Sequence, residues 1–288
     1  MISADRARWW PTAAINRVRD AVEKRTSRIP YRVKIAIVWA LLFGLLAWAA
    51  RNFGFDVEYI RKWAPFIVKG TGLTIVICLG GILLSIPLAL MGALGRLSKY
   101  AIFNGPASFY VSLVRGTPLI LQIFFVYLGL PQIATTGPPW LYKYLVLGPV
   151  VAGIIALGVN YGAYMTEIFR AGIMSVGHGQ VEAAHALGMG STQTMRRIVL
   201  PQAIRVIIPP TGNEFIAMLK DSALVGLLGT PEIFFRATKT GRQDFHIFET
   251  LAVAAIIYWV LTSIFQFFQT RLERRMGKAY VRGLTHGH

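Results

Sequence analysis

The chain has 288 residues, of which 55% are hydrophobic and 15% charged, and its mean hydropathy is +0.52. That balance excludes a soluble domain with a wetted surface and points to an integral membrane protein. The net charge of +17 does not indicate nucleic acid. In a membrane chain, surplus Lys and Arg record loop orientation and attraction to anionic lipid, and no basic run here is interleaved with aromatics in a soluble domain. Cys78, the single cysteine, lies in an apolar run and forms no intrachain disulfide.

Residues 1–34 hold nine Lys and Arg and lack the small-residue cleavage site of a secretory signal, so the expectation is a retained basic cytoplasmic tail. A spanning helix takes roughly 20 apolar residues. The interval 35–50 is shorter, and is expected to span as an additional helix with Lys34 and Arg51 snorkelling to the interfaces. Residues 51–69 mix aromatics with charges, as in an external segment lying in the interface. A membrane domain is expected over 70–270. It opens on the charge-free run Gly70 to Gly95, with Pro87 as a possible kink site, and Arg96 and Lys99 close that run in a basic loop. The next helix is expected from Ala107 to Leu130, carrying Arg115 near one end and stopping at Pro131. Pro131 to Lys143 then forms an extramembrane turn.

Tyr144 to Thr166 is a further expected span, with Gly158 and Gly162 spaced for close approach of a neighbouring helix. A polar loop over 171–205 follows. From Val206 to Leu228 the chain is apolar again, but Pro209, Pro210, Glu214, Lys220 and Asp221 predict a broken or irregular helix. The polar loop Thr230 to Glu249 leads to a last span, Thr250 to Thr270, and a basic cytoplasmic tail at 271–288. With six crossings, 20 Lys and Arg fall on one side and 8 on the other, Arg115 and Lys220 being inside helices. The positive-inside bias makes the larger side, with both termini and the 171–205 loop, cytoplasmic.

Within that loop, Gln180 to Leu187 favours a helix and Gly188 is a natural left-handed stop. A second short helix is expected from a Ser191 cap to Leu200, because Pro201 forbids continuation. Ala183, Ala184 and Ala186 offer a partner little bulk and Glu182 one charge; an ordinary helical hairpin fits the same residues. Inside the membrane, ionisable residues are costly, by about 2.5 to 3.5 kcal/mol at a helix centre, and so mark candidate function. Asn160, Tyr164 and Glu167 share one helical face, as do Glu214 and Asp221, and Asn213 and Lys220. These stripes are candidates to line a path across the membrane. The alternative has Glu167 bonding Arg170 at a helix end, and Lys220 and Asp221 tying helices together. Arg115 reads as a residue that fixes a helix end or meets lipid phosphate. His178 and His185 have no third ligand to make a metal site, and no GxSxG elbow occurs.

Glu182, Ala183, Ala184, Gly188, Ile198, Leu200 and Pro201, in the stretch QVEAAHALGMGSTQTMRRIVLP, match the cytoplasmic loop signature of permease subunits of ATP-binding-cassette importers. RGTPLILQIFFVYLGLP, AYMTEIFRAGI and NEFIAMLKDSALVGLLG resemble the polar amino acid branch. The resemblance spans roughly Phe55 to Arg275. It implies an all-α, multi-pass permease of the bacterial inner membrane with five core helices, to which the N-terminal helix is an addition, and a cytoplasmic two-helix coupling loop. It implies that this loop docks on a separate cytoplasmic ATPase, which would hold ATP and Mg, the chain itself binding no cofactor. It also implies a second permease copy or homologue, an external solute-binding protein and an amino acid substrate. The chain would then be a transport subunit and no enzyme, and it has no GxxxxGK[ST] phosphate loop of its own. A self-sufficient secondary transporter or channel is the alternative, and no internal repeat supports it.

Overall fold

The structure, a computed structural model, describes residues 30–52 and 54–285. The expected basic tail lies outside the described residues as far as residue 29, as do 286–288. Among the described residues there is no strand. Two compact units divide the chain, Met1–Asp56 and Val57–His288. The first contains α1 (Tyr31–Asn52), whose apolar stretch Val33–Leu45 is shorter than a spanning helix. The second contains α2 (Val57–Val68), α3 (Gly70–Leu97), α4 (Ala101–Arg115), α5 (Leu119–Thr136), α6 (Pro139–Leu145), α7 (Pro149–Met174), α8 (His178–Ala186), α9 (residues 191–221), α10 (Ile233–Gln243) and α11 (Ile247–Thr285). Among the described residues, four segments are long and apolar enough to cross a membrane: Val57–Leu97, α5, α7 and Ile247–Met276. The α9 helix is as long but carries Arg205, Glu214, Lys220 and Asp221.

The centre of the second unit is α3 packed on α7, and small residues let the two backbones close together. A side chain at Gly158 would come within 2.6 Å of Leu84, and one at Gly162 within 2.7 Å of the Tyr110 hydroxyl. The Ser85 hydroxyl is placed to donate to the Gly158 carbonyl (3.0 Å) as well as to Gly81 in its own helix (2.8 Å), and Tyr110 donates to the Val159 carbonyl (2.7 Å). Around this pair Ile77, Cys78, Ile123, Leu157, Met218, Leu219 and Val225 form one buried apolar cluster drawn from α3, α5, α7, α9 and the 3-10 segment Ser222–Leu228 that follows α9.

Three expectations about helix ends are corrected. The helix expected from Ala107 to Leu130 is two helices, because Gly116 and Thr117 interrupt it and Pro118 stands as N-cap of α5. Proline's fixed φ suits that entry position, and its missing N–H costs nothing there. Pro131 does not stop α5: a π turn over Phe125–Gly129 precedes it, Leu130 donates to Phe125 five residues back, and the helix runs on to Thr136. The expected loop to Lys143 is therefore mostly helix. The same device carries α9 through Pro201, with a π turn over Met195–Val199 and Leu200 donating to Met195. The wider turn moves aside the carbonyl that the proline ring would strike. Pro209 and Pro210 do not break α9 either. Gln269 of α11 reaches across to the Pro209 carbonyl (2.6 Å), and Gly212 gives it room.

A second anchor lies at the start of α10. Glu232 is fully buried and caps α10, accepting from the N–H groups of Phe234 (2.9 Å) and Phe235 (2.6 Å) and from the Tyr258 hydroxyl (2.6 Å). Burial pushes its pKa above the ordinary carboxylate value, although these hydrogen bonds pull the other way. Gly70 abuts the Glu232 backbone, so α3, α10 and α11 meet at this one carboxylate. Glu232→Ala removes the cap and the carboxylate that accepts from the half-buried Tyr258 hydroxyl. It is expected to cost about 2–3 kcal/mol, read as a lower thermal unfolding midpoint in detergent, with Glu232→Gln losing less.

Candidate functional site

The break between α4 and α5 opens a cavity of about 550 Å³ at the level of the apolar helices. The break itself, Arg115 to Leu119, lines one side; Asn160, Tyr161 and Tyr164 of α7 and Glu214, Ala217 and Asp221 of α9 line the others. The seven-residue spacing of Glu214 and Asp221 sets them on one helical face, about 10 Å apart along the axis.

The polar groups here are held by one another and by freed backbone. Tyr161 donates to Asp221 (2.9 Å), and the Arg115 guanidinium lies 5.0 Å from the centre of the Tyr164 ring. Asn160 donates to Gln122 (3.1 Å), whose own amide group is within bonding distance of the Val114 carbonyl (2.7 Å), the Thr117 carbonyl (3.1 Å) and the Thr117 hydroxyl (2.9 Å). Gln122 thus occupies the carbonyls released by the helix break, as a break at membrane depth requires. Glu214 lies between Arg115 and Asp221 electrostatically and accepts no hydrogen bond from the described residues. Asn160 and Tyr161 are buried, while Tyr164 remains 38% exposed along the cavity wall.

Four of the seven expected path residues therefore surround one space: Asn160, Tyr164, Glu214 and Asp221. The other three are elsewhere. Glu167 pairs with Arg96 (3.2 Å) and Arg170 (2.9 Å), tying α7 to the end of α3. Lys220 lines a separate groove between α9 and α11 with Arg271 and Arg274, and Asn213 is exposed. Arg115, read from sequence as a helix end or a lipid contact, is the last residue of α4 and also borders the cavity. Gln122 and Tyr161 were passed over because one amide and one tyrosine in an apolar run carry no spacing signal.

The polar loop folds as a hairpin. Helix α8 ends in a Schellman turn in which Gly188 (φ +78°) donates to His185 (2.9 Å) and Met189 donates to Ala184 (3.0 Å). Glu182, Ala183, Ala186 and Gly188 are exposed, as is Leu187 at 83%. Ala184 is buried, which corrects the expectation that it faces a partner. Ser191 is the first residue of α9, and Gly190 takes the cap position expected for Ser191. Val181 and Met195 pack on a cluster of Ile173, Val199 and Ala203 with Leu97 and Ile207, so the hairpin sits on the ends of α3, α7 and α9. Ile198 and Leu200 are half-buried and Pro201 is exposed. The two loop histidines border a crevice of about 340 Å³ beneath the hairpin. Among the described residues no three His, Cys, Asp or Glu gather as a metal site.

Residues 81–278 match a family described as "Binding-protein-dependent transport system inner membrane component". The chain is 36% identical over 230 residues to a probable amino-acid ABC transporter permease protein, PatM, of Vibrio harveyi, a match covering 80% of this chain and all of that protein. It is also 36% identical over 212 residues to the arginine transport system permease protein ArtQ of Bacillus subtilis, covering 74% of this chain and 93% of that one. Among solved structures, one titled as an amino acid ABC transporter with histidines superposes with a TM-score of 0.69 at 34% identity, over 76% of this chain and 98% of that chain.

Gly188→Val places a β-branched residue at positive φ, a strain of about 1–3 kcal/mol. Amide hydrogen exchange is expected to speed up over residues 178–200 and to stay unchanged over α3 and α7.

Proposed function

Since the chain belongs to the family of binding-protein-dependent transport-system inner membrane components, we propose that its polar cavity passes a polar amino acid across the membrane while its cytoplasmic hairpin takes the driving motion from a separate ATPase. The chain is an integral inner-membrane permease of the ATP-binding-cassette importer class, and its relatives transport amino acids. That membership sets aside the self-sufficient transporter or channel.

The observation that carries the solute reading is the cavity itself: one cation, two carboxylates and an amide converge where the surrounding helices are apolar. Such groups are costly in hydrocarbon and are kept where they face a path or one another. The Arg115 fork suits a carboxylate, and Asp221 or Glu214 an ammonium. Asn160 and Tyr164 border the same space; the pairing of Glu167 with Arg96 and the position of Lys220 in the groove beside α11 support leaving those two out of the solute role.

The hairpin is the ATPase socket. Glu182, Ala183 and Gly188 form its exposed rim with Leu187, Ala184 supports it from within, and Ile198, Leu200 and Pro201 join it to the membrane part of α9. ATP and magnesium act on the partner, because this chain has no phosphate-binding loop. A second permease subunit and an external solute-binding protein complete the assembly. Both termini and the hairpin face the cytoplasm, the side with more Lys and Arg, and residues 35–50 add a crossing before the core.

In proteoliposomes, uptake should require both ATP and the ATPase; uptake that persists without either would contradict the importer reading. Glu214→Gln is expected to cut uptake at least tenfold with assembly intact, measured by copurification of the ATPase. Gly188→Asp, which puts bulk and charge on the rim, is expected to reduce that copurification instead.

A further inference from the structure

Lys220 lies outside the polar cavity, in a groove of about 670 Å³ between α9 and α11. Arg271 and Arg274 line the same groove, and among the described residues no carboxylate does. None of the three cations forms an ion pair with a described residue. The acids next to them in sequence are engaged elsewhere, Asp221 accepting from Tyr161 (2.9 Å) and Glu273 from Gln269 (3.1 Å). Three like charges along one seam of a membrane bundle repel one another unless an anion lies among them. The two helices run antiparallel here, with Gln269 bonded to the Pro209 carbonyl and the Phe215 and Phe265 ring centres 5.0 Å apart. Long side chains on a helix lean over the turn before their own Cα, so on antiparallel helices Lys220 and Arg271 lean toward each other along the groove. The Arg271 guanidinium lies 4.4 Å from the centre of the Phe267 ring, one turn back, as that lean requires. Ser263 and Gln266 add neutral polar groups to the same wall.

We propose that this groove holds the headgroup phosphate of an anionic phospholipid, with Lys220 and Arg271 on its oxygens and Arg274 at the charged end of the site. A phosphodiester gives both cations charge-assisted hydrogen bonds, and the planar Arg271 fork suits two of its oxygens at once. Basic pockets between membrane helices are suited to such headgroups. The surroundings favour a lipid over a free anion. The groove is cut into the part of α11, Ile247–Met276, that is long and apolar enough to cross a membrane. Phe267 on its wall is exposed, as are Ile264 and Phe268 beside it, so acyl chains can lie on α11 while the phosphate sits between the cations. Inorganic phosphate would answer the charges and leave that apolar flank bare. A zwitterionic lipid brings its own ammonium with the phosphate and leaves the three cations unbalanced.

The test is native mass spectrometry of the permease–ATPase complex titrated with dioleoylphosphatidylglycerol or with dioleoylphosphatidylcholine, which has the same chains and no net charge. The glycerol lipid is expected to bind at least tenfold tighter. Lys220→Gln combined with Arg271→Gln should weaken it at least fivefold, whereas Arg271→Lys, which keeps the charge, should retain most of the binding. Arg275→Gln removes a charge one residue beyond Arg274 and outside the groove, and should change nothing. Equal binding of the two lipids by the unaltered complex would overturn the proposal, and that comparison decides even if the double variant fails to assemble. Undiminished binding of the glycerol lipid by an assembled double variant would overturn it too. Displacement of the lipid by an equal concentration of inorganic phosphate would show a site for free anions and overturn the lipid assignment.

Discussion

The arrangement depends on α9 remaining one helix across Pro201. A proline inside a helix removes a hydrogen bond and drives its ring into the carbonyl four residues back, an effect of about 3 kcal/mol or more. Here the widened turn over Met195–Val199 takes up the misfit, and the helix continues to Asp221. The helix that begins in the hairpin is consequently the one that carries Glu214 and Asp221. From Ile198 to Glu214 is about 24 Å of unbroken helix. A tilt applied at the hairpin reaches the cavity wall without passing through a loop.

The rest of the second unit gives that helix something to move against. Helices α3 and α7 are locked by glycines and by the Ser85 hydroxyl, and the Tyr110 hydroxyl ties α4 to α7, so α7 presents Asn160, Tyr161 and Tyr164 from a fixed surface. Glu167 extends the lock toward the hairpin end through Arg96. The carboxylates of α9 thus face a wall set by α7 and the α4–α5 break. At the hairpin, the cluster around Ile173, Val199 and Ala203 joins α8 to three helix ends, which makes the hairpin part of the bundle. The α5 helix repeats the device of α9, a π turn followed by Leu-Pro, directly above the break that holds Arg115. Helices α5 and α9, two of the helices that border the cavity, therefore keep going at the proline where a regular α-helix would kink or end.

Much of this was legible in the sequence. Low charge and long apolar runs gave the membrane class, the loop motif gave the family, and Gly188 gave the hairpin stop, which has a left-handed backbone as its position demanded. The seven-residue spacing of Glu214 and Asp221 placed both on the face that lines the cavity. What could not be read was tertiary. Pro131 and Pro201 looked like stops because a π turn has no residue signature of its own. Arg115 looked like a helix end, and it is one; the sequence does not say that the end falls beside Tyr164 and Glu214. Glu167 and Asn160 share a helical face in the sequence, yet one meets two arginines and the other a glutamine, a difference set by which helix lies opposite. The full burial of Glu232 was likewise invisible, since a Glu in a polar loop is ordinarily solvated.

The central claim is that the space between Arg115, Tyr164 and Asp221 is the solute path and that nucleotide on the partner ATPase switches the side from which it opens. Cys78, the only cysteine, is fully buried, so a Tyr164→Cys variant adds one reactive thiol at the cavity wall. The direct measurement is its rate of modification by a membrane-impermeant maleimide added to one face or the other of reconstituted complexes, without nucleotide and with ATP trapped. The account predicts that reactivity passes from one face to the other on trapping. Equal reactivity in both states, or none from either face, would contradict it.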